Sequence, residues 1–407
     1  MRLLLVNQFY PPDMAPTGQY LHDLARCLLA RGHEVTVLCS RRSYDGGGEY
    51  RADDVCDGVR VRRLPAFGFG RRGSARAADY LSFHVALRLQ AARVGPFDLT
   101  LSLTTPPFVG WTVSRALRRG AGGTAHWVMD LYPDVLAAHG AVRPGGVAYR
   151  ALQAFARRQF AGARLVLALG PHMRERVSPY VSGETRLEWV PLWGTAGAVA
   201  PDAARVRALR EQRGWANDAC VLLYSGNMGL GHRLEEFLAA AGRLGADGPV
   251  WAFAGGGRRL DEVKSYAAAH GTARVEVLPY VSQAELAVSL AAADVHLLSL
   301  RGGWEGLIVP SKLQAAFALG RPAIFVGPRE SEPFDWIAAS GGGWAVAEGD
   351  VDGLLRAVAQ AADPEERARR GEAALRFAGG HFHRDRNASR IAELIEDRVP
   401  HLPQGQT

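Results

Sequence analysis

The sequence predicts an α/β protein of two doubly wound domains, and three observations carry that expectation. Short apolar runs alternate with helical patterns along the chain, as parallel strands covered on both faces require. The alternation stops once, in the Gly/Ala/Pro-rich stretch around Pro191-Leu192-Trp193-Gly194, and then begins again. A length of 407 residues with 48% hydrophobic content supplies two cores, since single cores stop growing near ~250–300 residues.

The first half opens with a strand over residues 3–6, a loop, a helix over 19–30 and a strand over 34–38. Gly32 in Arg31-Gly32-His33 is the expected C-cap of that helix. Further strands fit 59–64, 99–103, 125–129 and 165–169. After a helix near 203–213 the pattern resumes, with strands at 220–224, 250–254, 275–278, 295–298 and 323–326, each followed by a glycine-bearing turn or a helix. The expected domains are residues 1–193 and 194–379, with 380–407 forming a C-terminal helix and a frayed tail. Ligands of open α/β sheets bind beyond the carboxyl ends of the strands, so two facing sheets predict one interdomain cleft.

Composition narrows the class. No run of about 18 apolar residues is present to span a bilayer, and MRLLLVNQFYPP lacks the long apolar stretch of a signal peptide. A cytoplasmic protein is expected, with peripheral contact at the inner face of a membrane as a further option. Cys27, Cys39, Cys56 and Cys220 show no metal-type spacing and read as packing residues rather than disulfides or zinc ligands.

Charge is divided unevenly. Residues 1–200 hold 25 arginines against 15 acids, and the remainder holds 23 bases against 26 acids. The segment 60–76, with further arginines from Arg115 to Arg158, suits an anionic membrane or a phosphorylated acceptor, beside the plainer account of a solvated basic face. No nucleic-acid-binding motif accompanies these arginines, so nucleic acid is not an expected partner.

Candidate chemistry lies in the loops after the strands. The segment WEGLIVPSKLQAAFALGRPAIFVG sets Lys312, one of only two lysines, at a helix start where Ser311 is the expected N-cap and Gly320 the stop. An ammonium beside free helix-start amides suits a phosphate or diphosphate, and a solvated surface lysine is the alternative. Ser225-Gly226-Asn227-Met228-Gly229 with His232 and Arg233 offers amides, a carboxamide and a cation, although Arg233 can also pair with Glu236. Gly255 and Gly256, in a run of three glycines, let backbone approach a ring or ribose. Tyr280 and Val281 can frame a flat base, with core packing as the other account of Tyr280. Gly18, expected just before the first helix, allows close approach of phosphate or sugar, or serves the turn alone. Asp130 ends a strand and either orients an acceptor hydroxyl, stabilises positive charge developing on a sugar ring, or caps a helix. Glu305 in RGGWEG is placed to reach sugar hydroxyls, and Glu332 is a further carboxylate at a helix start.

The stretches NQFYPPDMAPTGQYLHDLARCLLARGHEVTVL, MDLYPD, YSGNMGLGH, FAGGG and EGLIVPSKLQAAFALGRP stand in the order and spacing of a known family. The chain resembles GT-B fold glycosyltransferases of family 4, nearest the bacterial capsule and exopolysaccharide branch of colanic-acid type. The resemblance implies two Rossmann-like domains, acceptor first and nucleotide sugar second, with a final helix crossing back to the first. It also implies retention of configuration without metal or other cofactor, with Lys312, Arg233 and the amides after Gly226 stabilising the leaving diphosphate. The sequence departs from the family at the two usual glutamate slots, occupied here by Leu307 and Ala315, for which Glu305 is the stand-in at the first and Glu332 or a backbone group at the second. Asn227 and His232-Arg233 replace a usual arginine-lysine pair, and Asp130 stands where many relatives place a histidine.

The expected reaction moves a sugar from a nucleoside diphosphate, UDP first, to a saccharide, a lipid-linked saccharide or a small-molecule acceptor of a polysaccharide or natural-product pathway. A nucleotide-sugar 2-epimerase of similar fold is the rival enzyme. A degenerate chain that binds nucleotide sugar or a partner without turnover is the non-enzymatic alternative.

Overall fold

The computed structural model describes residues 1–44, 48–67, 73–90, 94–116, 121–194, 201–216 and 218–398. The chain divides into two compact units, Met1–Pro191 with Arg384–Thr407, and Leu192–His383. Parts of three expectations, namely residues 68–72 of the basic segment, Arg118 with Arg119, and the tail, lie outside the described residues.

The first unit is built on β1 (Arg2–Val6), β2 (Glu34–Ser40), β3 (Asp53–Cys56), β4 (Val59–Leu64), β5 (Phe97–Ser102), β6 (Ala121–Trp127), β7 (Leu165–Ala168) and β8 (Arg186–Trp189). They lie in the order β3-β4-β2-β1-β5-β6-β7-β8, parallel except for β3, which pairs antiparallel with β4. Asp57 and Gly58, both at positive φ (47° and 83°), make the tight hairpin between them. Helix α1 (Pro16–Ala30) begins at a proline suited to the first helical position, earlier than the sequence suggested. On the sheet, Leu4, Val6, Leu38 and Leu64 pack against Phe83 and Leu87 of α2 (Gly73–Gln90) and Val109 and Val113 of α3 (Val109–Ala116). Short α4 (Asp134–Ala138) precedes α5 (Val147–Phe160), which packs on α3.

The C-terminal helix α15 (Arg384–Glu396) lies on α1 in this unit. Arg31 donates twice to Glu396 (2.8 and 2.6 Å), and the Asn387 amide donates to the Pro191 carbonyl (3.0 Å). All four cysteines are free thiols. No helix among the described residues is long and apolar enough to cross a membrane.

The second unit carries β9 (Val221–Asn227), β10 (Val250–Gly256), β11 (Val275–Leu278), β12 (Val295–Ser299), β13 (Ala323–Gly327) and β14 (Gly343–Ala347). The sheet is wholly parallel in the order β11-β10-β9-β12-β13-β14. Counted within the unit this is third, second, first, fourth, fifth, sixth, the order of a dinucleotide-type Rossmann sheet. Buried Leu222, Tyr224, Trp251, Phe253, Leu297 and Ile324 fill its core. The direction of winding reverses between β9 and β12, and the loops beyond these two strands therefore flank the natural ligand crevice of the unit.

Candidate active site

The site forms where those two loops meet. Arg301 N–H donates to the Gly231 carbonyl (2.9 Å), and Arg233 N–H donates to Ser299 Oγ (3.0 Å). His232 Nδ1 lies 2.7 Å from the Ser299 carbonyl. Gly231 is small because the Trp304 ring lies under it, 2.7 Å from where a Cβ would stand. The two loops are thus one structure joined across the switch point.

Lys312 opens α11 (Lys312–Ala318), whose inner face buries Leu313, Ala316 and Phe317. Ser311 precedes it but makes no side-chain cap, contrary to the sequence expectation. A helix of seven residues carries only a short column of aligned peptide dipoles, so the ammonium is the main positive feature. Lys312 Nζ donates to Tyr224 Oη (2.9 Å), lies 3.5 Å from the Asn227 carbonyl and sits 4.2 Å from the centre of the Tyr224 ring. Burial without a paired carboxylate pushes it down to about 7. The same burial, assisted by the nearby lysine, lowers His232 to about 3 and keeps it neutral.

Gly226 is at φ 119°, and a Cβ there would come within 3.2 Å of Lys312 Cε. The glycine therefore admits the lysine stem and frees the turn to take a conformation that side chains resist. Exposed Asn227 follows it.

The glycines that end and follow β10 have a role within the fold, beside the expected open backbone for a ligand. A Cβ on Gly255 would strike the Gly226 carbonyl of the paired strand, and one on Gly257 would lie 2.5 Å from the Met228 carbonyl. Met228 N–H donates to the Gly256 carbonyl (2.6 Å) and Arg259 N–H to the Met228 carbonyl (3.0 Å). These glycines let the β10 turn lock onto the β9 turn. Tyr280 is 61% exposed, so the core alternative falls, and its ring covers Gly256. Val281 beside it is half-buried.

Arg233 faces carboxylates: its Nε donates to Glu236 (2.7 Å) and Nη1 to Glu348 (2.6 Å). Glu348 also accepts from Gly302 N–H (2.7 Å), so Arg233 braces the loop after β14 against the loop after β12. Arg259, almost fully buried, ties the turn after β10 to the β9 loop through Glu235 and the His232 carbonyl, and pairs with Glu262 three residues on. Glu305 is half-buried in the turn after Trp304, and Glu332 is fully buried as the first residue of α12 (Glu332–Ser340).

In the first unit Gly18 lies inside the first turn of α1, where a Cβ would meet the Phe9 carbonyl at 2.9 Å. Its neighbour is the β1 loop of the chain itself. Asp130 caps no helix, since α4 begins at Asp134. Thr104 Oγ1 accepts from the Met129 and Asp130 amides (3.1 and 3.0 Å) and fixes that turn. Burial pushes the Asp130 carboxyl up to about 6 against the pull of Arg76. Arg76 in turn donates to Tyr80 Oη (2.6 Å) and lies over its ring.

The structure thus gathers Gly226, Asn227, His232, Arg233 and Lys312 at one switch point and holds Gly255, Gly256 and Tyr280 on the adjoining turn. Gly18 and Asp130 belong to the other unit. Sequence reasoning missed Tyr224, Ser299 and Trp304, which orient the lysine and join the loops. A hydroxylated aromatic in the apolar run of β9 was the available signal for Tyr224.

Residues 17–193 match the glycosyl transferase 4-like domain. Over 290 residues the chain is 28% identical to the probable glycosyltransferase WbjE of Pseudomonas aeruginosa, covering 70% of this chain and 71% of that protein. The chain is thus similar to the family-4-like glycosyltransferases, by that domain in its first unit and by named relatives over most of its length. A second relative, the putative colanic acid biosynthesis glycosyl transferase WcaI of Escherichia coli K12, is 23% identical over 344 residues, 82% of this chain and 84% of the relative. The GT-B-type fold is shared with sucrose-phosphate synthase (tll1590) from Thermosynechococcus elongatus, at TM-score 0.76, 17% identity and 98% of each chain. It is shared also with Anabaena Alr3699/HepE, solved in complex with UDP and glucose, at TM-score 0.70 and 15% identity over 98% of this chain and 100% of that one.

Proposed function

We propose that the enzyme transfers a sugar, with retention of configuration and without a metal, from a nucleoside diphosphate to a saccharide hydroxyl. UDP is the first candidate for the nucleotide, in keeping with the UDP bound to Alr3699/HepE. The observation that carries the proposal is the Lys312 ammonium, set beside the Gly226 turn at the switch point with no carboxylate paired to it among the described residues. A diphosphate there replaces the neutral Tyr224 hydroxyl as the partner of the charge and is met by the amides of the turn.

In the reaction the anomeric carbon–oxygen bond to the diphosphate breaks while the acceptor oxygen bonds to the same face. The acceptor proton passes to the departing phosphate. Lys312 and the turn amides hold the negative charge that develops on that phosphate, the part a metal plays elsewhere. Arg233, engaged with Glu236 and Glu348, holds the turn in place, and Glu305 is the carboxylate assigned to the donor sugar. On the acceptor side Asp130 accepts a hydrogen bond from another hydroxyl of the acceptor sugar and so orients it.

Incubation with UDP-, GDP-, dTDP- and ADP-sugars, followed by nuclear magnetic resonance of the anomeric centre, tests the reading. Release of one nucleoside diphosphate with an axial donor giving an axial product is expected, persisting after treatment with chelator. An inverted product refutes retention, and dependence on added divalent ion refutes the metal-free mechanism. A free 2-epimerised sugar nucleotide would establish the epimerase instead.

A further inference from the structure

We infer that the outer face of the α2–α3–α5 layer docks this enzyme on an anionic lipid surface. Two independent features of the layer point the same way. The first is apolar exposure. In α2 the buried residues Phe83 and Leu87 face the sheet, while Leu81, Val85 and Leu89, spaced by four, are 64%, 51% and 66% exposed. Residues at that spacing line one helix face. The outward face of α2 is thus apolar where a surface helix is normally polar.

The second feature is unbalanced charge. Arg88 of α2, Arg115 of α3, and Arg150, Arg157 and Arg158 of α5 are all exposed. None of the five pairs with a carboxylate among the described residues, and α3 and α5 contain no acidic residue. Elsewhere many surface arginines are neutralised in pairs such as Arg205–Glu285, Arg243–Asp352 and Arg369–Glu366, while exposed Arg174, Arg207 and Arg274 stand outside such pairs. The basic segment that the sequence singled out is partly neutralised as well, Arg60 by Glu34, Arg62 by Asp53 and Arg63 by Asp54. The helical layer gathers five such unpaired charges on three helices that pack together.

Both features lie on one side of the sheet. Helix α2 packs on α3 and α3 on α5. Right-handed crossovers put α1, which leads toward β2, on the opposite face from the helices that lead from β4 to β5, β6 and β7. Leucines amid unpaired arginines suit the boundary between anionic headgroups and acyl chains, where apolar burial and electrostatic attraction add. Nucleic acid would use the arginines but leave the leucines in water.

The inference needs no nucleotide and is tested without one. The full chain is floated with vesicles of phosphatidylcholine alone or mixed with phosphatidylglycerol, beside a Leu81→Glu/Leu89→Glu variant and an Arg150→Gln/Arg157→Gln/Arg158→Gln variant. Circular dichroism checks the fold of each. Wild type is expected to float with the anionic vesicles only, the leucine variant to lose most of that binding, and the arginine variant to bind roughly 100-fold more weakly. Wild type that stays unbound, or binds neutral vesicles equally, overturns the inference. Either folded variant binding like wild type does the same, and heparin retention insensitive to the leucine changes assigns the face to a polyanion.

Discussion

Lys312 carries more of the account than any other residue, and its environment gives it a distinctive pH signature. Its ammonium is lowered to about 7 by burial, so near neutrality the free enzyme holds it only partly charged. A diphosphate bound beside it favours the charged form and raises that value. Binding above pH 7 therefore takes up a proton, and affinity falls as pH rises from 7 toward 9, by up to roughly tenfold per unit. Calorimetry in buffers of different ionisation enthalpy measures the uptake directly. His232, held near 3, stays neutral throughout that window and contributes no competing titration. A nucleotide affinity independent of pH between 7 and 9 would remove Lys312 from the diphosphate contact.

At the scale of elements, the buried strands were legible in the sequence, and β12 and β13 begin where their apolar runs do and extend one residue further. Of the edge strands only β11 was, over its whole length. Strand β3 is exposed and half acidic, and it exists because the Asp57-Gly58 turn folds it back on β4. That dipeptide is a hairpin signal the apolar pattern cannot register. Strand β8 is a short outer strand with a similarly weak pattern, and β14, also outer, is apolar but only five residues long. In the site, the glycine turns and Lys312 were readable as local motifs. Their supports, Tyr224 and Ser299, act on residues up to 88 positions away and carry no local signature.

The anchoring of α15 makes a separate test of an element. Hydrogen bonding from Arg31 is the largest cause holding the Glu396 carboxyl down to about 2. A carboxyl lowered by folding stabilises above its unfolded value, about 4.3, and loses that contribution as pH falls toward 2. Glu396→Gln should cost about 1 kcal/mol at pH 7, after allowing for solvent screening. The difference from wild type should shrink below pH 4 in thermal unfolding. An equal difference at pH 7 and pH 3 would show that charge is not what holds the helix.

For the whole molecule, the two units divide the chemistry as they divide the charge. The second unit presents a Rossmann switch point where Arg233, Arg259 and Arg301 are tied to carboxylates, while Lys312 beside the Gly226 turn pairs with none among the described residues. The first unit carries Asp130 and the unpaired arginines of its helical layer. The central claim, that Lys312 receives the diphosphate of a donor sugar, is tested most directly by calorimetric titration of wild type and Lys312→Ala with UDP, GDP, dTDP and ADP. One nucleotide, UDP first, should bind wild type and lose about 3 kcal/mol, more than a hundredfold in affinity, in the variant. Equal binding of that nucleotide by the two proteins, or binding of none by wild type, would contradict it.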